Sequence, residues 1–175
     1  NCAVAYNLEK GNHRNQSFPF DWVNMNIKQL VKILENNFRN FDKVIIKKFS
    51  EIHPLIDSTF GSYILSNEYN VKFAHELSNE NELPFFQKVI QRRIIRFKQL
   101  KKPTFIRLEI NSVSEKQTNE YYHELVNNLK KYFTRFKIIV ISKHKIDIPF
   151  IKHIQLDNFE ENWKYPTVNW NKIFN

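Results

Sequence analysis

The segment Phe136–Ile141, FKIIVI, decides the fold, because its nearly continuous apolar run is typical of a β-strand buried on both faces of a sheet. Earlier in the chain, Thr104–Ile110, TFIRLEI, places Ile106, Leu108 and Ile110 on one face and the intervening side chains on the other. This period of two predicts a second strand.

A helix is predicted between these strands, near residues 115–133, with Ser114 and Gln117 as its capping box. A strand, a helix and a strand form a β-α-β unit, which almost always crosses over right-handed between parallel strands. Residues 151–156 predict a further strand. We therefore expect an α/β fold with a mostly parallel sheet and helices on both faces, as a single three-layer domain over residues 1–175.

Hydrophobic spacing predicts shorter elements in the rest of the chain. Helices are expected near residues 3–10, 26–40 and 85–100, and short strands near 44–46, 62–65 and 71–75. The tail, residues 158–175, is expected to pack over the surface through its aromatic side chains. Because the sequence opens on Asn1 rather than on Met, we expect it to be a fragment of a longer chain.

Composition excludes several classes of protein. The single cysteine, Cys2, rules out an internal disulfide and a multi-cysteine zinc site, and it favours a reducing, cytoplasmic compartment. Two isolated glycines, Gly11 and Gly61, cannot build a P-loop or a dinucleotide-binding loop. No apolar stretch approaches the roughly 20 residues that span a bilayer. We expect neither a cofactor nor a metal.

The net charge of +9 would suit a polyanionic partner. The chain is, however, crowded with Asn, Lys, Ile and Phe and poor in Ala and Gly, a bias that an AT-rich genome produces. Because no recognition motif supports the charge, we do not expect nucleic acid as the partner. The sequence leaves the oligomeric state open.

Cys2 immediately precedes the first predicted helix. Free N–H groups at a helix N-terminus stabilise a thiolate, so this position predicts a lowered pKa and a candidate nucleophile. The alternative is a small buried hydrophobe. His75 ends the predicted strand at residues 71–75, where it could act as a general base to Cys2. The alternative is a half-buried histidine that is paired with a backbone carbonyl.

Three further residues carry charges that need a partner. Asp21 could orient a histidine, or it could cap the predicted helix at 26–40. Arg107 and Glu109 project from the same face of a predicted strand, where charges must be paired or functional. A structural ion pair is the simpler interpretation of Arg107 and Glu109.

Arg92 and Arg96 lie four residues apart on the predicted helix at 85–100 and therefore project together. Two guanidinium groups can clamp a phosphate or an acidic sugar. The alternative is a solvated basic face.

Four segments resemble a known family when they are taken in this order. They are residues 1–6 (NCAVAY), 17–22 (SFPFDW), 73–76 (FAHE) and 92–97 (RRIIRF), with 105–107 (FIR) following. The chain resembles, over most of residues 1–142, the bacterial and viral domains of unknown function described as papain-like cysteine peptidases. The segment that ends in Asp21 and Trp22, after a cysteine-bearing helix, is the most specific part of the resemblance.

The resemblance implies that Cys2 is the nucleophile and His75 the base, with Glu76 where the family has an aspartate. It also implies a helical part packed on an antiparallel sheet, whereas residues 104–142 predict a parallel β-α-β unit. Members of the family tend to occur beside genes for surface-polysaccharide biosynthesis, which implies a glycan or an activated sugar as substrate.

Three hypotheses follow. The first is a cysteine-dependent acyl-transfer enzyme, a hydrolase or a transferase, in which Asp21 or Glu76 orients the imidazole of His75. The second is a glycan-modifying transferase, in which Arg92, Arg96 and Arg107 hold a sugar nucleotide and Trp22 stacks on the sugar. The third is a non-catalytic binding module. The expected partners are accordingly an acyl, peptide or glycan substrate or a sugar nucleotide.

Overall fold

The computed structural model describes residues 2–48, 63–73, 76–77, 79–109, 115–156, 158, 162 and 164–174. Helices in these ranges are α1 (Cys2–Lys10), α2 (Ile27–Glu35), α3 (Leu83–Lys98), α4 (Glu115–Lys130) and α5 (Trp170–Phe174). Strands are β1 (Val23–Asn24), β2 (Ile45–Lys48), β3 (Tyr63–Ser66), β4 (Lys72–Phe73), β5 (Thr104–Leu108), β6 (Lys137–Ser142) and β7 (Ile151–Gln155). A 3-10 turn, Glu80–Glu82, leads into α3.

The predicted parallel sheet is present, and its strand order is β5-β6-β7. Strands β5 and β6 run parallel with Ile106 opposite Ile139, and α4 connects them as the β-α-β pattern predicted. Strand β7 adds to the other edge of β6, with Ile141 opposite Ile154. The central strand is therefore the apolar run that the sequence singled out. The predicted cap of α4 at Ser114 lies outside the described residues.

The prediction of one mostly parallel sheet is wrong for the first half of the chain. There the described strands form a separate antiparallel sheet in the order β1-β4-β3-β2. A parallel connection needs a crossover of a dozen or more residues, whereas antiparallel neighbours need only a tight turn. Strands β3 and β4 are joined by such a turn, in which Asn67 Oδ1 accepts the backbone N–H groups of Tyr69 and Val71. The fold is α/β with one sheet of each kind.

The central strand β6 separates two hydrophobic cores, because successive side chains of a strand point to opposite faces. Ile138 and Val140 lie in the larger core, together with residues of α2, α3, α4 and the antiparallel sheet. Ile139 and Ile141 lie in the smaller core, which also holds α1 and the C-terminal helix α5. The parallel sheet is therefore covered on both faces, as predicted.

Aromatic rings tie the larger core together around Phe97 of α3. Its ring lies 5.2 Å from the ring of Phe38, after α2, and 5.2 Å from that of Phe133, after α4. It also contacts Phe20 and Phe105, at 5.5 and 5.6 Å. One ring thus joins two helices, a loop and the parallel sheet. None of the described helices has the length and hydropathy of a membrane span.

The first testable prediction concerns this ring. Phe97→Ala should lower the free energy of unfolding by about 3–5 kcal/mol, because it leaves a cavity among packed rings. Phe85→Ala is the matched control on the same helix: its side chain is 69% exposed, so its effect should stay within about 0.5 kcal/mol. Urea denaturation followed by far-UV circular dichroism measures both. Equal effects of the two substitutions would contradict the assigned role of Phe97.

Candidate active site

Cys2 is the first residue of α1, which begins one residue earlier than the sequence predicted, and its side chain is half-buried. The next two residues, Ala3 and Val4, are buried in the smaller core, and α1 packs on β5. Asn7 ties the helix to the C-terminal tail, because its Nδ2 donates to the carbonyl of Lys164 at 2.9 Å. The helix that carries the thiol is therefore fixed on two sides.

The predicted direction of the Cys2 pKa is wrong. Burial raises the pKa of the thiol, and this effect outweighs the stabilisation that the backbone N–H of Cys2 provides. The negative charge of Glu76 raises the pKa further. Cys2 is therefore a protonated thiol at neutral pH, and it would need a base to become a nucleophile.

Of the causes that change the pKa of the Cys2 thiol, the negative charge of Glu76 is the smallest. The residue follows β4, and its Oε1 accepts from Nη1 of Arg93, on α3, at 3.0 Å. Only 16% of the Glu76 side chain and 12% of the Arg93 side chain are exposed. His75 lies outside the described residues, so its role as the base stays a prediction.

Asp21 does not cap helix α2. Asn26 does so, in a capping box with Gln29: Asn26 Oδ1 accepts the Gln29 N–H, and Gln29 Oε1 accepts the Asn26 N–H. Asp21 instead accepts from Arg14 and from the backbone N–H of Phe18, the latter at 2.7 Å. Among the described residues, the carboxylate therefore fixes the loop between α1 and β1.

Trp22 follows Asp21 with a positive φ of 59°, a backbone conformation that residues other than glycine rarely adopt. The guanidinium of Arg14 lies over its ring, 5.9 Å from the centroid. The proposed use of Trp22 as a stacking surface for a sugar stays a prediction.

Arg107 and Glu109 form the structural ion pair that the sequence favoured. Arg107 Nε donates to Glu109 Oε2 at 2.8 Å, and its Nη2 approaches the carbonyl of Met25 at 3.3 Å. Burial raises the pKa of Tyr122, so this phenol keeps its proton and donates to the same Glu109 oxygen at 3.1 Å. Glu109 is 3% exposed, and its charge is paired as burial requires.

The two predicted anion-binding arginines of α3 differ in their surroundings. Arg92 is exposed, whereas the half-buried Arg96 approaches the carbonyl of Ser17 at 3.5 Å. No hydrogen bond or ion pair described for these residues joins either one to Arg107. Arg93, which the helical spacing did not single out, makes the ion pair with Glu76.

A largely apolar cavity of about 280 Å³ lies between α1, the loop before β1 and the start of β5. Val4 and Leu8 of α1 line it, and so do the charged side chains of Arg14, Asp21 and Arg107. Cys2 is not among its described lining residues. Within the described residues, no group of three His, Cys, Asp or Glu side chains is placed to hold a metal ion.

These features define an α/β protein whose single cysteine begins a helix. The chain belongs to the family described as "putative papain-like cysteine peptidase", which is a domain of unknown function, and the match covers residues 1–155. The resemblance stated from the sequence is thereby confirmed. The chain is also 28% identical to an uncharacterized protein of Acanthamoeba polyphaga mimivirus, over 98% of this chain and 92% of that protein. No solved structure matches it.

A second prediction follows from the raised pKa of Cys2. The rate of alkylation by iodoacetamide should rise with pH to a midpoint above that of free N-acetylcysteine, because desolvation disfavours the thiolate. A midpoint at or below that of the free thiol would show that the helix N-terminus dominates. Cys2→Ser gives the blank for this measurement.

A third prediction concerns the pair formed by Arg107 and Glu109. Arg107→Met should cost about 3–5 kcal/mol of unfolding free energy, because it leaves a buried carboxylate without its cation. Lys145→Met is the matched control: it breaks an ion pair that is 74% and 86% exposed, and should cost less than about 1 kcal/mol. If Arg107→Met is as stable as the control, Arg107 is not a structural residue.

Proposed function

We propose that this protein is a cysteine-dependent acyl-transfer enzyme of the hydrolase type, with Cys2 as the nucleophile and His75 as the base. One observation carries the proposal: the 155 residues that match a cysteine peptidase family contain a single cysteine, and it begins a helix. A peptidase of this class needs a thiol. Cys2 is the one cysteine that this chain offers.

The raised pKa of Cys2 defines what the base must do. A neutral thiol attacks a carbonyl efficiently only if its proton is removed as the carbon–sulfur bond forms. In the proposed reaction His75 takes this proton and then delivers it to the departing amine or alcohol, which leaves an acyl thioester on Cys2. Water that is deprotonated by the same imidazole releases the acid and restores the thiol.

The choice of His75 is supported by its neighbour in the chain. Glu76 acts electrostatically on Cys2, and His75 precedes it directly. Of the histidines that the structure describes, His13 packs on Phe174 with ring centroids 4.8 Å apart, and His153 Nε2 lies 3.1 Å from Ser142 Oγ. His144 is half-buried after β6. His123 is exposed on α4.

A peptide is the substrate class that the family name supports. The glycan and sugar-nucleotide hypothesis has no comparable support. Its candidate Arg107 is committed to Glu109 and the carbonyl of Met25.

The fourth prediction tests the proposed nucleophile and base. Cleavage of a fluorogenic peptide library should fall by about 1,000-fold or more in Cys2→Ala and in His75→Ala, because the first removes the proposed nucleophile and the second removes the proposed base. His123→Ala is the control, and it should cleave like the parent protein. Mass spectrometry after a rapid acid quench should find the acyl group on Cys2.

Two outcomes would count against the proposal. Cleavage that survives Cys2→Ala in a folded protein excludes the nucleophile. Cleavage that is lost in Cys2→Ala and kept in His75→Ala leaves the nucleophile and excludes the base.

A further inference from the structure

The edge of the parallel sheet at which its strands begin carries a concentrated positive charge. Two segments lie there: residues 98–104, from the end of α3 to the start of β5, and residues 129–138, from the end of α4 into β6. Together they contain seven lysine and arginine residues and no aspartate or glutamate. These seven residues, the basic edge, are Lys98, Lys101, Lys102, Lys130, Lys131, Arg135 and Lys137.

The structure brings the two segments together. The backbone N–H of Lys137 donates to the carbonyl of Pro103 at 3.0 Å, and Lys137 lies opposite Thr104 in the parallel pair of β5 and β6. All seven residues of the basic edge are exposed. None of the ion pairs formed among the described residues neutralises one of them. The charge is therefore open to an external partner.

Composition alone does not explain this arrangement. A general excess of lysine would be scattered over the surface, among the acidic residues. Here seven cations lie in two segments without an acidic residue, in a chain whose whole net charge is +9. Most of the excess charge of the chain is thus gathered on one surface.

An exposed aromatic residue lies beside the basic edge. Phe150 directly precedes β7, and the first residue of that strand, Ile151, lies opposite Ile138 of β6. The ammonium of Lys130 lies 4.9 Å from the centroid of the Phe150 ring. Phe150 is 63% exposed and has a positive φ of 76°, a backbone conformation that a bulky residue rarely adopts. The basic edge and this ring form one surface with a cationic part and an apolar part.

We propose that the basic edge and Phe150 bind the anionic surface of a lipid bilayer. Lysine and arginine side chains near such a surface are attracted to its headgroups, and each adds to the affinity. The Phe150 ring enters the boundary between headgroups and acyl chains, where an apolar side chain is removed from water. This inference goes beyond the proposed function and does not depend on Cys2.

Two features favour a bilayer over a nucleic acid as the partner. Six of the seven residues of the basic edge are lysines, which act as point charges, whereas the planar fork of arginine is the group that binds phosphates and guanine in bidentate fashion. Proteins that bind single strands also present aromatic rings on which successive bases stack. Of the aromatic residues in 98–104, 129–138 and 149–152, only Phe150 is exposed.

Co-sedimentation with vesicles tests the role of the charge. The protein should bind vesicles made of equal parts of phosphatidylcholine and phosphatidylserine, and it should not bind phosphatidylcholine alone. The triple variant Lys101→Gln, Lys102→Gln, Arg135→Gln should lower the partition coefficient roughly 100-fold, because each cation near the surface contributes roughly fivefold.

The matched control removes the same charge at the other edge of the parallel sheet. Lys116 lies at the start of α4, Lys143 follows β6, and Lys172 of α5 lies near the end of β7; all three are exposed. The attraction of the surface falls off within a Debye length of roughly 10 Å. Replacing these three lysines with glutamine should therefore lower the partition coefficient by less than about threefold.

A second pair of variants tests the ring. Phe150→Asn keeps a residue that tolerates positive φ, and it should lower the partition coefficient about tenfold because it removes the apolar group that leaves water. Phe85→Asn is the control and should bind like the parent protein. Its side chain is 69% exposed, but it lies near the start of α3, whereas the basic edge begins at the end of that helix.

Three results would overturn the inference. They are the absence of binding to the anionic vesicles, equal losses in the two triple variants, and release of the protein from the vesicles by duplex DNA or single-stranded RNA at an equal phosphate concentration. The last result would identify a nucleic acid as the partner of the basic edge. Sedimentation does not measure cleavage, so a failure here leaves Cys2 as the proposed nucleophile.

Discussion

The burial of β6 on both faces is the constraint on which the rest of the structure depends. A strand with no polar face must be covered on both sides, so the chain supplies a helical layer to each. Ile138 and Val140 face the larger core, and Ile139 and Ile141 face the smaller core that contains α1. This constraint also places Cys2. Helix α1 covers the sheet by turning Ala3 and Val4 toward the smaller core, and Cys2 directly precedes them in the helix.

The docking of α1 also sets the chemistry of its first residue. Packing the helix against the sheet half-buries the Cys2 side chain, and desolvation then raises the pKa of the thiol by more than the backbone N–H of Cys2 lowers it. The packing that fixes the position of the sulfur therefore also disfavours its ionisation to a thiolate.

The sequence predicted the parallel half of the fold well and the antiparallel half poorly, for a physical reason. The FKIIVI run and the alternation in Thr104–Leu108 are long enough to fix both strand type and burial. Strands β1 and β4 are two residues each, and such short pairs carry no signal of direction. The available signal was the turn between β3 and β4. Its residues Asn67 and Asn70 are typical of a hairpin, and a hairpin joins antiparallel strands. Likewise, Asn26 and Gln29 carried a capping-box signal that points to the start of α2, whereas Asp21 did not.

Local features of the candidate site could be predicted from position in the chain, whereas its side-chain pairing could not. The start of α1 at Cys2 follows from local sequence, but the choice of Arg93 rather than Arg92 or Arg96 as the partner of Glu76 depends on tertiary packing. Buried carboxylates need cations, and Glu109 and Glu76 each recruit one arginine. The two pairs differ in what lies beside them. Glu109 shares its oxygen with the phenol of Tyr122, which holds the pair inside the larger core, whereas the charge of Glu76 reaches a thiol. The same ion-pair chemistry therefore occurs once inside the core and once at a partly exposed position.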